Sequence, residues 1–205
     1  MHAPLKTSEP EPVWDLARLY PDQGSWDERE YLALDTNRLI EFTDGYLEVL
    51  PMPTTDHQLI AAFLFQLLDV FVREKGLGLV LFEGTKVRIR HGMVRMPDLM
   101  FIAKNRQHRR TKHYYEGIDL AIEVVSEDPK DHERDWEDKR RDYAEAGIPE
   151  YWIVDPQLKK IVVLKLTGTA YTTHSEAGAT GRVTSALLPG LEADAAAVWA
   201  AAEQR

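Results

Sequence analysis

The amino-acid sequence predicts an α/β fold in which a central mixed β-sheet is flanked by α-helices. Strand-like and helix-like segments are mixed along the chain without the strict rhythm that builds a wholly parallel sheet. Residues 118–125 are almost continuously apolar, which is typical of a central strand covered on both faces. With 205 residues, of which 44% are apolar, the chain can bury a sizeable core as one domain.

We expect a loosely ordered arm over residues 1–25 and a single domain over residues 26–205, because the start of the chain is polar and rich in proline. The arm contains no apolar run typical of a signal peptide. The longest apolar stretch, residues 59–72, is interrupted by Gln66 and Asp69 and is too short to span a bilayer. The absence of cysteine excludes disulfides and thiolate metal sites. We therefore expect a cytoplasmic protein with no membrane partner.

The first part of the domain is predicted to hold a hairpin and a long helix. Asp44 and Gly45 form a turn signal between two short strands. Asp56 is suited to cap a helix with an apolar stripe, and Gly76 is suited to end it. The predicted elements are a helix over residues 26–37, strands over 38–42 and 46–50, and a helix over 56–75.

The second part of the domain is predicted to supply most of the sheet. Val87 and Ile89 alternate with basic residues, as in a strand with one exposed face. A long helix is closed by Gly147 and Pro149. The predicted strands are 79–82, 86–90, 93–96, 98–103, 118–125, 151–155 and 160–166; the predicted helices are 131–146 and 192–202, with strand and loop over 171–188.

Two carboxylates are notable because they are costly to bury. Glu123 lies inside the apolar strand 118–125 and shares a face with Val125. Asp98 follows Pro97, which cannot donate a ladder hydrogen bond and therefore suits the first residue of a strand. A buried, ionised carboxylate needs a cation, a metal ion or a raised pKa. The alternatives are a Glu123 that reaches solvent or an arginine, and an Asp98 that caps a turn.

Lys139 is the third candidate for a functional role. Trp136, Lys139 and Tyr143 recur at helical spacing and form an aromatic face that should pack inward. We expect the neighbouring charges, among them Asp135 and Asp142, to point elsewhere. A lysine on a packing face must extend its ammonium to solvent or meet an acid. We favour a lysine directed at two carboxylates and a phosphate.

Charge is distributed unevenly along the chain. The formal net charge of −9 by itself argues against a nucleic-acid partner. Residues 86–112, however, contain nine Lys or Arg and only one acid, Asp98. A phosphate backbone needs such a local excess of positive charge; a solvated basic loop is the alternative. The predicted nucleic-acid-binding residues are Lys86, Arg88, Lys104, Arg106, Arg109, Arg110 and Lys112.

The order of these residues resembles the pattern of the Uma2 family, described as restriction endonucleases, within the PD-(D/E)XK nuclease superfamily. The block Gly-Ile-Pro-Glu-Tyr-Trp-Ile-Val-Asp-Pro over residues 147–156 is distinctive, whereas Pro97 and Asp98 alone form a weak motif. The resemblance covers roughly residues 30–195. Besides that block it is carried by Leu39, Ile40, Glu41, Asp44, Gly45, His57, Pro97, Asp98, residues 123–126, Lys139 and Tyr143.

This resemblance implies a restriction-endonuclease-like fold and an endodeoxyribonuclease that uses Mg²⁺ or Mn²⁺. It implies that Asp98, Glu123 and the backbone carbonyl of Val124 bind the metal ion. The superfamily motif places a lysine two residues after the acid, where this chain has Val125. Lys139 on the following helix is the implied replacement, and it is the lysine that the helical spacing indicates independently.

Two further residues and one assembly state follow from the same resemblance. Glu41 is implied as an additional acid, although its position before a turn also suits an exposed hairpin residue. His57 is implied as a neighbouring site residue, although lone histidines on an apolar stripe are more often packed core residues. Since such nucleases often pair to cut two strands, a homodimer is also expected.

Two other functions stay open on sequence grounds. A nuclease fold without catalytic activity could bind nucleic acid or a protein partner. A structural or regulatory dimer could use its acidic surface to contact protein. A glycosidase with paired acids is set aside, because no sugar-stacking aromatic cleft is evident and the basic segment does not suit a neutral sugar.

Overall fold

Two β-sheets form the framework of the protein in the computed structural model, which describes residues 20–36 and 38–203 apart from the side chains at positions 130 and 131. The strands are β1 (Ile40–Thr43), β2 (Tyr46–Val49), β3 (Gly78–Phe82), β4 (Val87–Arg90), β5 (Met93–Arg95), β6 (Leu99–Ala103), β7 (Tyr115–Glu116), β8 (Leu120–Val124), β9 (Glu150–Asp155), β10 (Lys160–Thr167), β11 (Ala170–Ala177), β12 (Arg182–Thr184) and β13 (Glu192–Asp194). The helices are α1 (Glu28–Ala33), α2 (Thr55–Glu74), α3 (Pro129–Glu133), α4 (Lys139–Glu145) and α5 (Ala195–Ala202). A 3₁₀-helix (Lys104–Arg109) and a π-helix (Arg134–Asp138) complete the described elements.

The central sheet has six strands in the order β11-β10-β9-β8-β6-β3. It is mixed, because β8 and β9 run parallel while the other neighbours run antiparallel. This arrangement agrees with the predicted mixed sheet. Five other strands form a second sheet in the order β2-β1-β5-β4-β7, which the sequence did not predict, and β12 pairs with β13.

Both faces of the central sheet are covered. Leu120 and Ile122 of β8 pack with the buried stripe of α2 and with α5, whereas Ala121 faces the opposite side. On that opposite side, Tyr143 of α4 and Val87 of the second sheet complete the packing. The alternation predicted for residues 118–125 is therefore correct, and it directs the Glu123 side of β8 towards α4.

Helix α2 begins at Thr55, one residue earlier than predicted. Thr54, rather than Asp56, caps it, since Thr54 Oγ1 accepts a hydrogen bond of 3.2 Å from the backbone N–H of His57. The helix is long and apolar enough to cross a membrane by length and composition alone. Its buried residues, however, include Ile60 and Leu64 and pack against the central sheet, as in a core helix.

The predicted helix over residues 131–146 is built from three pieces. Helix α3 leads into the π-helix Arg134–Asp138, which continues directly into α4. In the π-helix the N–H of Lys139 bonds to the carbonyl of Arg134, five residues earlier. The predicted C-terminal helix is shorter than expected, because residues 192–194 form strand β13 and α5 begins at Ala195.

Residues 1–19 of the predicted arm lie outside the described residues. The last part of the arm runs along the β1–β2 hairpin. Gly24 donates a 2.8 Å backbone hydrogen bond to Gly45. The Gln23 amide exchanges hydrogen bonds of 2.9 and 2.8 Å with the Leu47 backbone.

Candidate active site

Strand register brings the two predicted carboxylates together. Strand β6 pairs antiparallel with β8, and the last paired residues are Leu99 and Ile122. One step further along both strands, Asp98 lies opposite Glu123. Directly opposite residues of antiparallel strands have Cβ atoms about 5 Å apart. Two residues far apart in sequence therefore meet through strand pairing alone.

Asp98 is held by a backbone and a side-chain donor. Its Oδ2 accepts a hydrogen bond of 2.7 Å from the backbone N–H of Val124 and lies 3.1 Å from Nε2 of His57. Burial alone would raise the pKa of Asp98, but the hydrogen bond and charge of His57 lower it, helped by Lys139 and the Val124 N–H. The Asp98 carboxyl is therefore ionised at neutral pH.

Glu123 is almost fully buried, with 2% of its surface exposed. Its Oε2 lies 2.9 Å from Nζ of Lys139, and its Oε1 accepts 2.7 Å from the hydroxyl of Tyr143. Burial raises the pKa of Glu123 above its usual value; the Lys139 ammonium opposes this shift, and the Asp98 carboxylate adds to it, so that the ionised form of Glu123 depends on a neighbouring cation. Negative charge at this position is therefore only partly compensated by the protein.

Lys139 lies between two buried acids. Its Nζ is 2.9 Å from Glu123 Oε2 and 3.0 Å from Oδ1 of Asp135, four residues earlier. Burial alone would lower the pKa of Lys139, but the carboxylates of Asp135, Glu123 and Glu41 raise it above its usual value. The pKa values of both Lys139 and Glu123 are raised because the cluster contains more acids than cations. The Lys139 ammonium is therefore charged at neutral pH.

A small cavity joins these groups. It measures about 30 Å³ and is lined by residues that include Asp98, Glu123, Val124, Asp135 and Lys139. A cavity of this size holds one or two waters or a small ion. Among the described residues, no three His, Asp or Glu side chains are grouped closely enough to hold a metal ion by themselves.

The donor set nevertheless fits Mg²⁺ or Mn²⁺. These ions prefer oxygen donors, and Mg²⁺ usually binds through one or two carboxylates while it keeps several waters. Asp98 and Glu123 supply two carboxylates with an excess of negative charge. The carbonyl of a strand residue points to the same side as its N–H, and the Val124 N–H points at Asp98. The Val124 carbonyl is thus also directed towards this corner.

Glu41 lies beside this cluster, but both of its carboxylate oxygens already have partners. Its Oε2 is 3.0 Å from Nη1 of Arg95, and its Oε1 accepts 2.9 Å from the backbone N–H of Met96. Nη2 of Arg95 bonds Asp142 at 2.6 Å, so that a buried ion network ties β1 and β5 to α4. The structure therefore places Glu41 in a structural network next to the site.

His57 comes from the first turn of α2. Burial would lower the pKa of His57, but its hydrogen bond to Asp98 raises it. Its Nδ1 is buried and has no hydrogen-bond partner in the described part of the chain. His57 thus supports Asp98 and is not simply a packed core residue.

A model of a protein family described as "Putative restriction endonuclease", Uma2, matches residues 28–197. The chain belongs to the Uma2 family. The crystal structure of a putative nuclease belonging to DUF820 from Anabaena variabilis ATCC 29413 matches with a TM-score of 0.71. The match has 16% identity and covers 89% of this chain and 99% of that chain, which shows a common fold. No curated protein matches the sequence. Family and fold together support a nuclease.

The predicted basic segment of this Uma2 protein divides into two groups. Arg88 pairs with Glu28 and Glu116, and Arg106 lies 3.1 Å from Asp119, so these charges are balanced within the protein. Lys86 lies over the Tyr31 ring at 4.3 Å. Within the described residues, the remaining members are exposed and form no ion pair: Lys104, Arg109, Arg110 and Lys112.

Three residues at the site were not predicted from the sequence. Asp135 was expected to point away, yet it is 2% exposed and contacts Lys139. Its position four residues before Lys139 was a usable signal, because that spacing places both on one helix face. Arg95 is buried in the ion network with Glu41. Glu83 follows β3, lines the cavity, and has a pKa raised by burial and by Asp98.

Proposed function

We propose that this protein is an endonuclease that hydrolyses phosphodiester bonds of DNA with Mg²⁺ or Mn²⁺. The observation that carries the proposal is the convergence of Asp98, Glu123 and Lys139 on one small cavity. Buried carboxylates in excess of the neighbouring cations favour a divalent ion. Belonging to the Uma2 family supports a nucleic acid as substrate.

In this proposal Asp98, Glu123 and the Val124 carbonyl hold the ion. The bound ion would supply an activated water and neutralise charge on the scissile phosphate. His57 keeps Asp98 ionised and oriented through the 3.1 Å contact. Tyr143 helps to orient the Glu123 carboxyl through Oε1, the oxygen that Lys139 does not contact.

Lys139 stabilises the negative charge that develops on the phosphate during hydrolysis. A lysine whose pKa is raised by neighbouring acids is a poor proton acceptor at neutral pH. Its positive charge, fixed in a buried site, is better suited to electrostatic stabilisation.

The exposed basic residues of 104–112 would hold the nucleic-acid backbone. A homodimer would supply the second site that a double-strand break needs.

The test is cleavage of supercoiled plasmid and of single-stranded DNA by the purified full chain with Mg²⁺, Mn²⁺ or EDTA. We expect cleavage that needs the metal and is lost in Asp98→Asn and Glu123→Gln. Glu176→Gln, an exposed acid on β11, is the matched control and should cleave normally. Absence of cleavage with both metals, or full activity in both site variants, would overturn the proposal.

One observation favours a second candidate, a nuclease fold that binds nucleic acid without cutting it. Both oxygens of Glu123 are already engaged, one by Lys139 and one by Tyr143. If both contacts persist in Mn²⁺ and leave no lone pair of Glu123 directed at the ion, Glu123 is not a ligand. Salt-dependent DNA binding without cleavage in the same assays would support this candidate.

A further inference from the structure

The helical segment that follows β8 changes from an α-helix to a π-helix where it reaches the site. Residues Arg134–Asp138 form a π-helix, which is rare and occurs often at functional sites. Asp135 of this π-helix and Lys139, the first residue of α4, both point inward and are each 2% exposed. The π-helix and the start of α4 thus place an acid and a cation at the same cavity as Asp98 and Glu123.

The π-helix is anchored to β9 at Asp135 and at the next residue, Trp136. The hydroxyl of Tyr151 donates a hydrogen bond of 2.7 Å to the backbone carbonyl of Asp135. Nε1 of Trp136 donates a hydrogen bond of 3.0 Å to Oδ2 of Asp155. These contacts fix the backbone, so that the Asp135 carboxyl has a defined place at 3.0 Å from Lys139 Nζ.

The two partners of Lys139 differ in what else they must do. Glu123 is a proposed ligand of the divalent ion, and a bound dication repels a neighbouring ammonium. The contact between Glu123 and Lys139 is therefore weakened when the site is loaded. Asp135 lies outside the proposed ligand set, and its Oδ1 faces Lys139 Nζ at 3.0 Å and Arg134 Nε at 3.6 Å.

We infer that Asp135 is a positioning residue that retains the Lys139 ammonium in the site when Glu123 binds the divalent ion. This inference rests on the proposed function and assigns a role to a residue outside the metal-binding set. Without Asp135, the Lys139 ammonium would face the ion and Arg134, and its contacting acid among the described residues would be Glu123, which the ion shares. It would then move towards solvent and no longer stabilise the reacting phosphate.

The test compares Asp135→Asn with Asp138→Asn. Asp138 lies on the same π-helix, but its side chain is 49% exposed and pairs with Arg141, which makes it a matched control. Labelling of Lys139 by an amine-reactive reagent, read by mass spectrometry with and without Mn²⁺ alone, reports the position of the ammonium. Cleavage kinetics report its effect on turnover.

We expect Lys139 to stay protected in the wild-type protein and in Asp138→Asn under both conditions. In Asp135→Asn it should become labelled when Mn²⁺ is added, and kcat should fall roughly 100-fold with little change in KM. Asp135→Glu should recover part of both properties. Thermal melting verifies that each variant is folded.

Equal labelling and equal kcat in Asp135→Asn and wild type would overturn the inference while leaving the proposed function intact. A wild-type protein that neither binds Mn²⁺ nor cleaves DNA would instead overturn the proposed function. Labelling of Lys139 in Asp135→Asn without Mn²⁺ would also contradict the inference, because it would show a purely structural role.

Discussion

Lys139 Nζ lies 2.9 Å from Glu123 Oε2, and each of the two side chains is only 3% exposed. A buried ion pair of this kind contributes little net stability, but removing one partner leaves an uncompensated charge. The contact therefore makes the stability of the protein sensitive to changes at Lys139. On the proposed function, a divalent ion bound beside Glu123 should change that stability as well.

Lys139→Met should lower the free energy of unfolding by about 3 kcal/mol, because Glu123 and Asp135 lose their cation. Mn²⁺ should then stabilise the variant more than the wild type, since the ion replaces the missing positive charge. Urea unfolding with and without Mn²⁺ measures both effects. Lys160→Met, which breaks an exposed pair with Glu176, should cost less than about 1 kcal/mol and show no added response to Mn²⁺. An equal Mn²⁺ response in both variants would count against the proposed ion site.

Tyr143→Phe should reduce cleavage by about tenfold or more and lower stability by about 1.5 to 3 kcal/mol, because Glu123 Oε1 loses a hydrogen bond. The matched control is Tyr171→Phe, which removes a 2.7 Å hydrogen bond to the Ile148 carbonyl away from the cavity. That control should lose stability but keep its activity. Plasmid cleavage and thermal melting of both variants separate the two effects. Equal activity in Tyr143→Phe and Tyr171→Phe would show that Tyr143 does not orient Glu123.

Glu41→Gln should lower stability at neutral pH and leave Mn²⁺ affinity unchanged, because both Glu41 oxygens are held by Arg95 and Met96. Burial would raise the pKa of Glu41, but Lys139 and Arg95 lower it below the ordinary value of 4.5. Its ionised form thus contributes stability above about pH 4.5, and this is lost as the pH falls through the folded-state pKa. The stability difference between wild type and variant should shrink in acid. Urea unfolding across pH and calorimetric titration with Mn²⁺ check both parts, and a large loss of Mn²⁺ affinity would instead place Glu41 among the ligands.

Arg110→Gln combined with Lys112→Gln should weaken DNA binding and reduce the slope of affinity against salt by about two, since each exposed charge releases roughly one counterion. Fluorescence anisotropy at several salt concentrations measures this slope. Lys165→Gln, an exposed charge on β10, should leave it unchanged. If the double variant binds with an unchanged slope, residues 104–112 are a solvated loop and do not contact phosphate.

Much of the fold could be predicted because it depends on local patterns. The two faces of β8 follow from alternation, and the inward face of Lys139 and Tyr143 follows from helical spacing. The second sheet could not be predicted, since the pairing of β1 with β5 joins segments that are far apart in sequence. The π-helix was also missed, because it is fixed by contacts of residues 135 and 136 with β9 rather than by its own composition.

The candidate site shows the same division between local and distant information. Glu123 and Lys139 could be identified because each is a charged residue where an apolar one was expected, and Asp98 because it follows Pro97 at the start of a strand. The charge that the basic segment leaves unpaired could not be predicted, because Arg88 is balanced by Glu28, which lies 60 residues away in sequence. Charge counted along the chain therefore overstated the positive charge that is available to a ligand.

The opposition of Asp98 and Glu123 depends only on how β6 and β8 pair. The intervening residues 104–119 loop out from the far ends of these strands, so their length does not set the distance between the two acids. Substitutions or length changes within residues 104–119, including the basic residues, should therefore leave the spacing of Asp98 and Glu123 unchanged. The segment that presents the exposed positive charges can vary independently of the pair of acids.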